Sequence, residues 1–176
     1  VGSVGLSGFR SMSAALAVAA SIALLLCSLT AGFLFAFAVV VMPGLKTLDD
    51  AAYLRAFQTV DRVIQEGQPL FMVMWVGSII ALLAALAMGL GTLTGLDRLV
   101  LLGASVLYLG GVQVPTAAIN VPLNNRVQSL NIAEMDSGSL REARRAFEGR
   151  WNRWNARRTG LAVASVMLMI VLLARL

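Results

Sequence analysis

Four long apolar stretches restrict this chain to few folds. They cover residues 14–42, 69–90, 99–121 and 139–174, and the last begins with a polar half. A helix of about 20 predominantly apolar residues crosses a bilayer, where backbone polar groups must be satisfied within a helix or a closed barrel. With 59% hydrophobic residues and a mean hydropathy of +0.82, the chain exceeds what a soluble core requires. We predict a single all-α membrane domain over residues 1–176, a four-transmembrane-helix bundle.

Two polar segments next to these stretches also have helical patterns. Residues 50–65 carry apolar side chains at helical spacing after a pair of aspartates, which predicts a short amphipathic helix in the first loop. Ser139 and Glu142 match a capping box at the start of the last segment. Because no proline interrupts residues 139–174, we expect one long fourth helix whose first half extends into the cytoplasm.

The basic residues indicate how the chain is oriented in its membrane. Of the fourteen, three lie between the first two apolar stretches and eight between the third stretch and the apolar half of the fourth, which begins at residue 159, whereas Arg10, Arg98 and Arg175 lie on the other side. The positive-inside rule predicts cytoplasmic long loops and both termini outside. Basic residues between spans are typical of membrane topology, so no nucleic-acid partner is expected. An arginine excess of thirteen to one over lysine is associated with GC-rich bacterial genomes, which suggests a bacterial plasma membrane.

Histidine is absent, and the single cysteine, Cys27, lies within the first apolar stretch. These two facts exclude His-ligated haem, a zincin motif, a Ser-His-Asp triad and an internal disulfide built from this chain alone. We therefore expect neither a metal site nor a bound cofactor. Cys27 is interpreted as a small apolar residue of a helix.

The third apolar stretch has one polar face. On an ideal α-helix, Gln113, Thr116, Asn120 and Asn124 fall within an arc of about 80°. Amide and hydroxyl groups in hydrocarbon are costly without partners, which predicts that this face points into the bundle.

Small residues and prolines shape the same helix. Gly103, Gly110 and Ala117 recur every seven residues near the polar face, where they would let a neighbouring helix approach closely. Pro115 predicts a kink, and Pro122 predicts that the helix ends or unwinds there. Asn124 and Arg126 would then lie at the cytoplasmic mouth.

The fourth helix carries a matching face. Trp151, Trp154, Asn155 and Arg158 project to one side, while its other arginines form a solvated stripe. Together with Asp61 of the first loop, these residues predict a site for a flat, amphipathic ligand. The alternative is structural: tryptophans of an interfacial belt, asparagines that join helices, and arginines that satisfy the positive-inside rule.

The chain resembles the membrane-domain family of the anthrone oxygenases. The resemblance rests on four motifs: "GFLFAFAVVVMPGL", "FQTVDRVIQ", "TAAINVPLNNR" and "WNRWNARRTG". It implies a four-helix membrane protein whose characterised members oxidise anthrones to anthraquinones with molecular oxygen and without an evident metal or flavin. Two positions depart from the family pattern, since Asn is usual at Asp61 and His is common at Ala156.

Two functions remain open. In a cofactor-independent oxygenase acting on an anthrone- or quinol-like aromatic, Asp61, Asn120 and Arg158 would be catalytic: Asp61 as base, Asn120 and Arg158 stabilising the anion. The expected substrate-binding residues are Gln113, Thr116, Asn124, Arg126, Trp151, Trp154 and Asn155. Alternatively, the protein is a non-enzymatic accessory or small-ligand-binding subunit, a homo-oligomer or a partner in a membrane complex, whose amides bind a neighbouring helix or a lipid headgroup.

Overall fold

A computed structural model describes the backbone of residues 2–176 and the side chains from Ala14 onward, so the side chain of Arg10 lies outside the described residues. The chain is 90% helical, and its described part contains no β-strand. Four helices are candidate membrane spans, and a fifth, shorter one lies in the first loop. They are α1, helical from Gly2 with its span over Ala14–Lys46; α2, Asp50–Gln65; α3, Pro69–Thr92; α4, Gly95–Gln128; and α5, Ser137–Leu173.

The outer surface of the bundle is apolar. Only 17% to 33% of the most apolar window of each span is buried inside the protein, and large side chains such as Leu25, Ile80, Val106 and Met167 are exposed. Apolar surface of this extent requires a nonpolar surrounding. The predicted four-helix membrane fold is confirmed, and the four helices are compatible with a multi-pass membrane protein.

Proline in α4 is accommodated by a wider helical turn. Val106–Gln113 and Thr116–Asn120 are π-helical, and Pro115 lies between these segments. Pro122 then occupies the first turn of the α-helical segment Val121–Gln128, where it cannot donate a backbone hydrogen bond to the preceding turn. The prediction is that α4 ends or unwinds near Pro122. It does not end there, because the helix continues to Gln128, and the wider π-helical turn Thr116–Asn120 lies directly before the proline.

The π-helical turns also change which glycine packs against α5. A Cβ atom placed on Gly111 would lie 2.8 Å from Leu161 Cδ1 and 3.3 Å from Leu161 Cβ, whereas one on Gly110 would meet no atom within 4 Å. A Cβ atom placed on Gly103 would lie 3.4 Å from Leu168 Cδ1 of α5, as expected for a close helix contact, but the prediction for Gly110 is wrong. A π turn holds more residues than an α turn. The residue that lies two turns after Gly103 on the same face of α4 is therefore Gly111 and not Gly110.

Hydrogen bonds define the start of α5 and its junction with α1 and α2. Asp136 is the N-cap, and its Oδ1 atom accepts hydrogen bonds from the N–H groups of Gly138 and Ser139 at 2.8 and 3.0 Å. The prediction that Ser139 caps this helix is wrong, because Asp136, three residues earlier, is the residue whose side chain binds the free N–H groups. Hydrogen bonds from the Ser139 N–H group, the Ser139 hydroxyl and the Gly138 N–H group lower the pKa of the Asp136 carboxyl. About two turns after this cap, Arg144 donates to the carbonyls of Lys46 and Leu48 at 3.0 and 2.8 Å.

The glycine register of α4 yields a first prediction. Gly111→Ala should lower the free energy of unfolding by about 1–2 kcal/mol, because the new methyl group overpacks the contact with Leu161. Gly110→Ala, its matched control, should leave stability unchanged or raise it by up to about 1 kcal/mol through helix propensity. Thermal unfolding in detergent, followed by circular dichroism, measures both. Equal effects of the two substitutions would contradict the observed register.

Candidate functional site

A cavity of about 340 Å³ lies at the end of the bundle where α2 packs against α4 and α5. All five helices contribute to its wall. Its polar residues are Asp61, Gln65, Thr116, Asn120, Asn124, Asn155 and Arg158, and its aromatic residues are Phe33, Phe37, Phe57, Phe71, Trp75 and Trp151. Gln65 and Val121 are exposed at its edge, so the cavity opens between α2 and α4.

Asp61 is held in this wall by three side-chain amides. Its Oδ1 atom accepts from Asn124 Nδ2 at 2.7 Å, and its Oδ2 atom accepts from Gln65 Nε2 at 2.7 Å and Gln128 Nε2 at 3.0 Å. Helical spacing places these donors, since Gln65 lies one turn after Asp61 on α2 and Gln128 one turn after Asn124 on α4. Asp61 is only 4% exposed, so these bonds replace the water that a carboxylate normally binds.

Arg158 lies in the wall on α5 and is also almost fully buried, with 3% of its surface exposed. Its Nη1 group donates to Thr116 Oγ1 at 2.7 Å, and its Nη2 group donates to Asn155 Oδ1 at 3.1 Å. The Nε–H group has no hydrogen-bond partner. A planar guanidinium whose Nε–H group is unpaired is suited to bind an oxyanion.

The two buried charges line the same cavity without pairing. Within the described part of the chain, neither Asp61 nor Arg158 forms a salt bridge. Buried charges are costly unless they are compensated, and here neutral amide and hydroxyl groups solvate each one. The cavity therefore offers a ligand a carboxylate and a guanidinium together.

Aromatic rings form the apolar part of the wall. Phe33 contacts Phe37 of α1 and Phe71 of α3, with ring centroids 4.8 and 5.3 Å apart. Phe71 stacks on Trp75 at 5.6 Å with an interplanar angle of 16°. Trp151 lies 5.8 Å from Phe37. Rings in tilted and stacked arrangements provide flat apolar surface for a planar ligand.

Two asparagines of α4 connect this surface to the polar groups. Asn124 accepts a 2.8 Å hydrogen bond from Trp151 Nε1 while donating to Asp61. Asn120 is 2% exposed and donates to the Trp151 carbonyl at 3.5 Å, which leaves its Oδ1 atom without a partner. Asn120 Oδ1 is therefore an unused acceptor, as Arg158 Nε–H is an unused donor.

The structure brings seven of the ten residues expected from sequence into one wall: Asp61, Thr116, Asn120, Asn124, Trp151, Asn155 and Arg158. Gln113, Arg126 and Trp154 do not line this cavity. The π-helical turns of α4 rotate Gln113 away from the face shared by Thr116 and Asn120. Arg126 is exposed and lines a small groove elsewhere, and Trp154 lies beneath the guanidinium of Arg157 at 4.9 Å.

Sequence reasoning missed two groups of residues at this site: aromatic residues of the wall, and amides that bind Asp61. The aromatic pairs Phe33/Phe37 and Phe71/Trp75 each have the i, i+4 spacing of one helix face. That spacing could have indicated an aromatic wall, although aromatic residues that face lipid show the same spacing. The amides Gln65 and Gln128 gave no signal, because their role depends on the contact between α2 and α4.

A second cavity lies on the other side of the α1/α5 contact and is lined by Ala156. The position at which the resemblance expects His therefore faces away from the site described above. Among the described residues, no three Asp, Glu, Cys or His side chains converge in a manner that could hold a metal ion.

The fold and cavity define a class of protein: a four-helix membrane protein with an aromatic-walled, ligand-sized cavity beneath a short loop helix. The family model of the anthrone oxygenases matches residues 62–168, more than half of the chain, and the chain belongs to this family. The matched range includes the wall residues of α4 and α5 and begins one residue after Asp61. Comparison with curated proteins finds no match, and comparison with solved structures finds none.

The hydrogen bonds of Asp61 yield a second prediction. In Asp61→Asn, the new NH₂ group must face at least one of the three amide donors that now bind the two carboxylate oxygens. We expect the free energy of unfolding to fall by about 1–3 kcal/mol. Glu66→Gln, an exposed change on the adjoining turn, should stay within about 0.5 kcal/mol of the parent protein. Denaturant titration followed by circular dichroism tests this, and an equally stable Asp61→Asn protein would contradict the role of the amides.

Proposed function

We propose that the protein is a cofactor-independent membrane oxygenase acting on an anthrone- or quinol-like aromatic. One observation carries the proposal: an unpaired buried carboxylate and an unpaired buried guanidinium line one aromatic cavity. Its volume of about 340 Å³ falls within the range of about 300–1,000 Å³ typical of small-molecule sites. Membership of the anthrone oxygenase family supports an oxygenase-type function.

The chemistry follows from these two charges. Asp61 accepts a proton from the acidic methylene of an anthrone, and the resulting anion places its oxygen at Arg158. The anion transfers two electrons to dioxygen and forms a carbon–oxygen bond, and a proton completes a hydroperoxide. Loss of water then leaves a carbonyl, so that one CH₂ group and O₂ give C=O and H₂O.

The remaining wall residues hold the substrate for this step. Trp151 and the phenylalanine rings position the flat ring system and exclude water, which strengthens the attraction between the anion and Arg158. Asn120 Oδ1, lacking a partner in the structure, accepts a hydrogen bond from a phenolic hydroxyl. The charge pattern of the loops further supports a plasma-membrane protein with this cavity on the cytoplasmic side.

A second candidate is a binding protein without turnover. It is favoured by the three amide donors on Asp61, because a proton acceptor must give up at least one such bond to reach a substrate. In this role the same cavity would hold a planar acidic aromatic for a membrane partner.

Oxygen uptake with emodin anthrone as substrate separates the two candidates. The oxygenase should raise the rate well above the spontaneous oxidation measured without protein. Asp61→Asn should lower kcat by at least about a hundredfold, the usual contribution of a general base. The controls Glu66→Gln and Arg153→Gln change exposed residues outside the cavity and should retain parental rates.

Binding is measured in parallel by quenching of tryptophan fluorescence. Saturable binding with no uptake above the spontaneous rate would support the binding protein and reject the oxygenase. Full activity in Asp61→Asn would reject Asp61 as the base.

A further inference from the structure

The second cavity is a groove between α1 and α5 on the side opposite the first. It has a volume of about 380 Å³ and is formed by positions 38–46 of α1 and 152–156 of α5. Asn155 lines both cavities, because its Nδ2 group donates across the helix contact to the Leu34 carbonyl at 3.1 Å. This α1/α5 contact lies between the two cavities and separates the groove from the candidate functional site.

One end of this groove is basic. Lys46 lines it, is exposed, and forms no salt bridge to a described residue. Its backbone is fixed by the hydrogen bond from Arg144 to the Lys46 carbonyl. Arg145, also exposed and without a salt bridge to any residue that the structure describes, lies seven positions before Asn152 and so on the same face of α5. Two cations at this end attract an anion.

An amide lies next to the basic end. Asn152 lines the groove, and its Oδ1 atom is buried without a hydrogen-bond partner. A buried polar atom of this kind is costly unless a ligand satisfies it. The groove thus offers an anion-binding end and, beside it, an acceptor for a hydroxyl hydrogen.

Below the amide the same face becomes apolar. Ala156 is exposed, and Val163 and Met167 continue its face of α5 with 44% and 55% exposure. Val39 and Val40 are exposed on α1 at 50% and 65%. Polarity therefore changes along the groove from cationic and amide groups at one end to hydrocarbon at the other, as a phospholipid with an anionic, hydroxyl-bearing headgroup requires.

We propose that this groove binds one anionic phospholipid whose headgroup bears a hydroxyl group. Lys46 and Arg145 bind the phosphate, and the acyl chains lie along Val163 and Met167. The headgroup folds back beside the phosphate, so that its hydroxyl donates a hydrogen bond to Asn152 Oδ1. Phosphatidylglycerol has this chemistry, whereas phosphatidylcholine has neither the net charge nor the hydroxyl.

Native mass spectrometry of the full chain in detergent tests the site, with either phospholipid added in increasing amounts. The parent protein should bind phosphatidylglycerol at least about fivefold more tightly than phosphatidylcholine. Lys46→Gln should remove about that factor, and Asn152→Leu should weaken phosphatidylglycerol binding by about threefold or more. Arg98→Gln, an exposed change at the α3/α4 turn, is the matched control and should leave binding unchanged.

Equal binding of the two phospholipids by the parent protein would overturn the proposal. So would equal losses in Lys46→Gln and Arg98→Gln, since attraction would then come from overall charge and not from the groove. Because Lys46 is exposed, its replacement should not disturb folding, and circular dichroism verifies this for each variant.

Discussion

The carboxylate of Asp61 is the point at which the loop helix, the third span and the fourth span meet. Asp61 and Gln65 belong to α2, Asn124 and Gln128 belong to α4, and Asn124 also accepts from Trp151 of α5. These bonds fix a short amphipathic helix over the end of a bundle that would otherwise be open. The cavity is closed on one side by α2. Because the hydrogen bonds of the buried Asp61 carboxylate hold α2 in place, the shape of the cavity depends on those bonds.

Burial of that charge without a counter-ion gives the cavity its chemical character. If Arg158 paired directly with Asp61, the two groups would neutralise each other and leave little for a ligand. Instead, Thr116 and Asn155 bind the guanidinium and three amides bind the carboxylate. In a low-dielectric wall, both charges act more strongly on a ligand than they would in water. An acidic aromatic molecule, which gives up a proton and becomes an anion, interacts with both.

The sequence was sufficient to predict the four spans, because transmembrane helices require long apolar runs. It also predicted most of the polar wall, since Asn120 and Asn124 of α4 and Arg158 of α5 are too polar to face lipid. It failed where a local change of helical pitch intervened. The π-helical turns around Pro115 moved Gly111 into the place expected for Gly110 and took Gln113 out of the wall. A pattern calculated at 100° per residue cannot include such turns.

The most direct test of the account is whether Arg158 binds the ligand's oxyanion. The affinity for an unreactive hydroxyanthraquinone, measured by fluorescence quenching, should fall at least about tenfold in Arg158→Gln. Arg157→Gln, its exposed neighbour on α5, should bind as the parent protein does. Equal affinities of the parent protein and the folded Arg158→Gln variant would contradict the account.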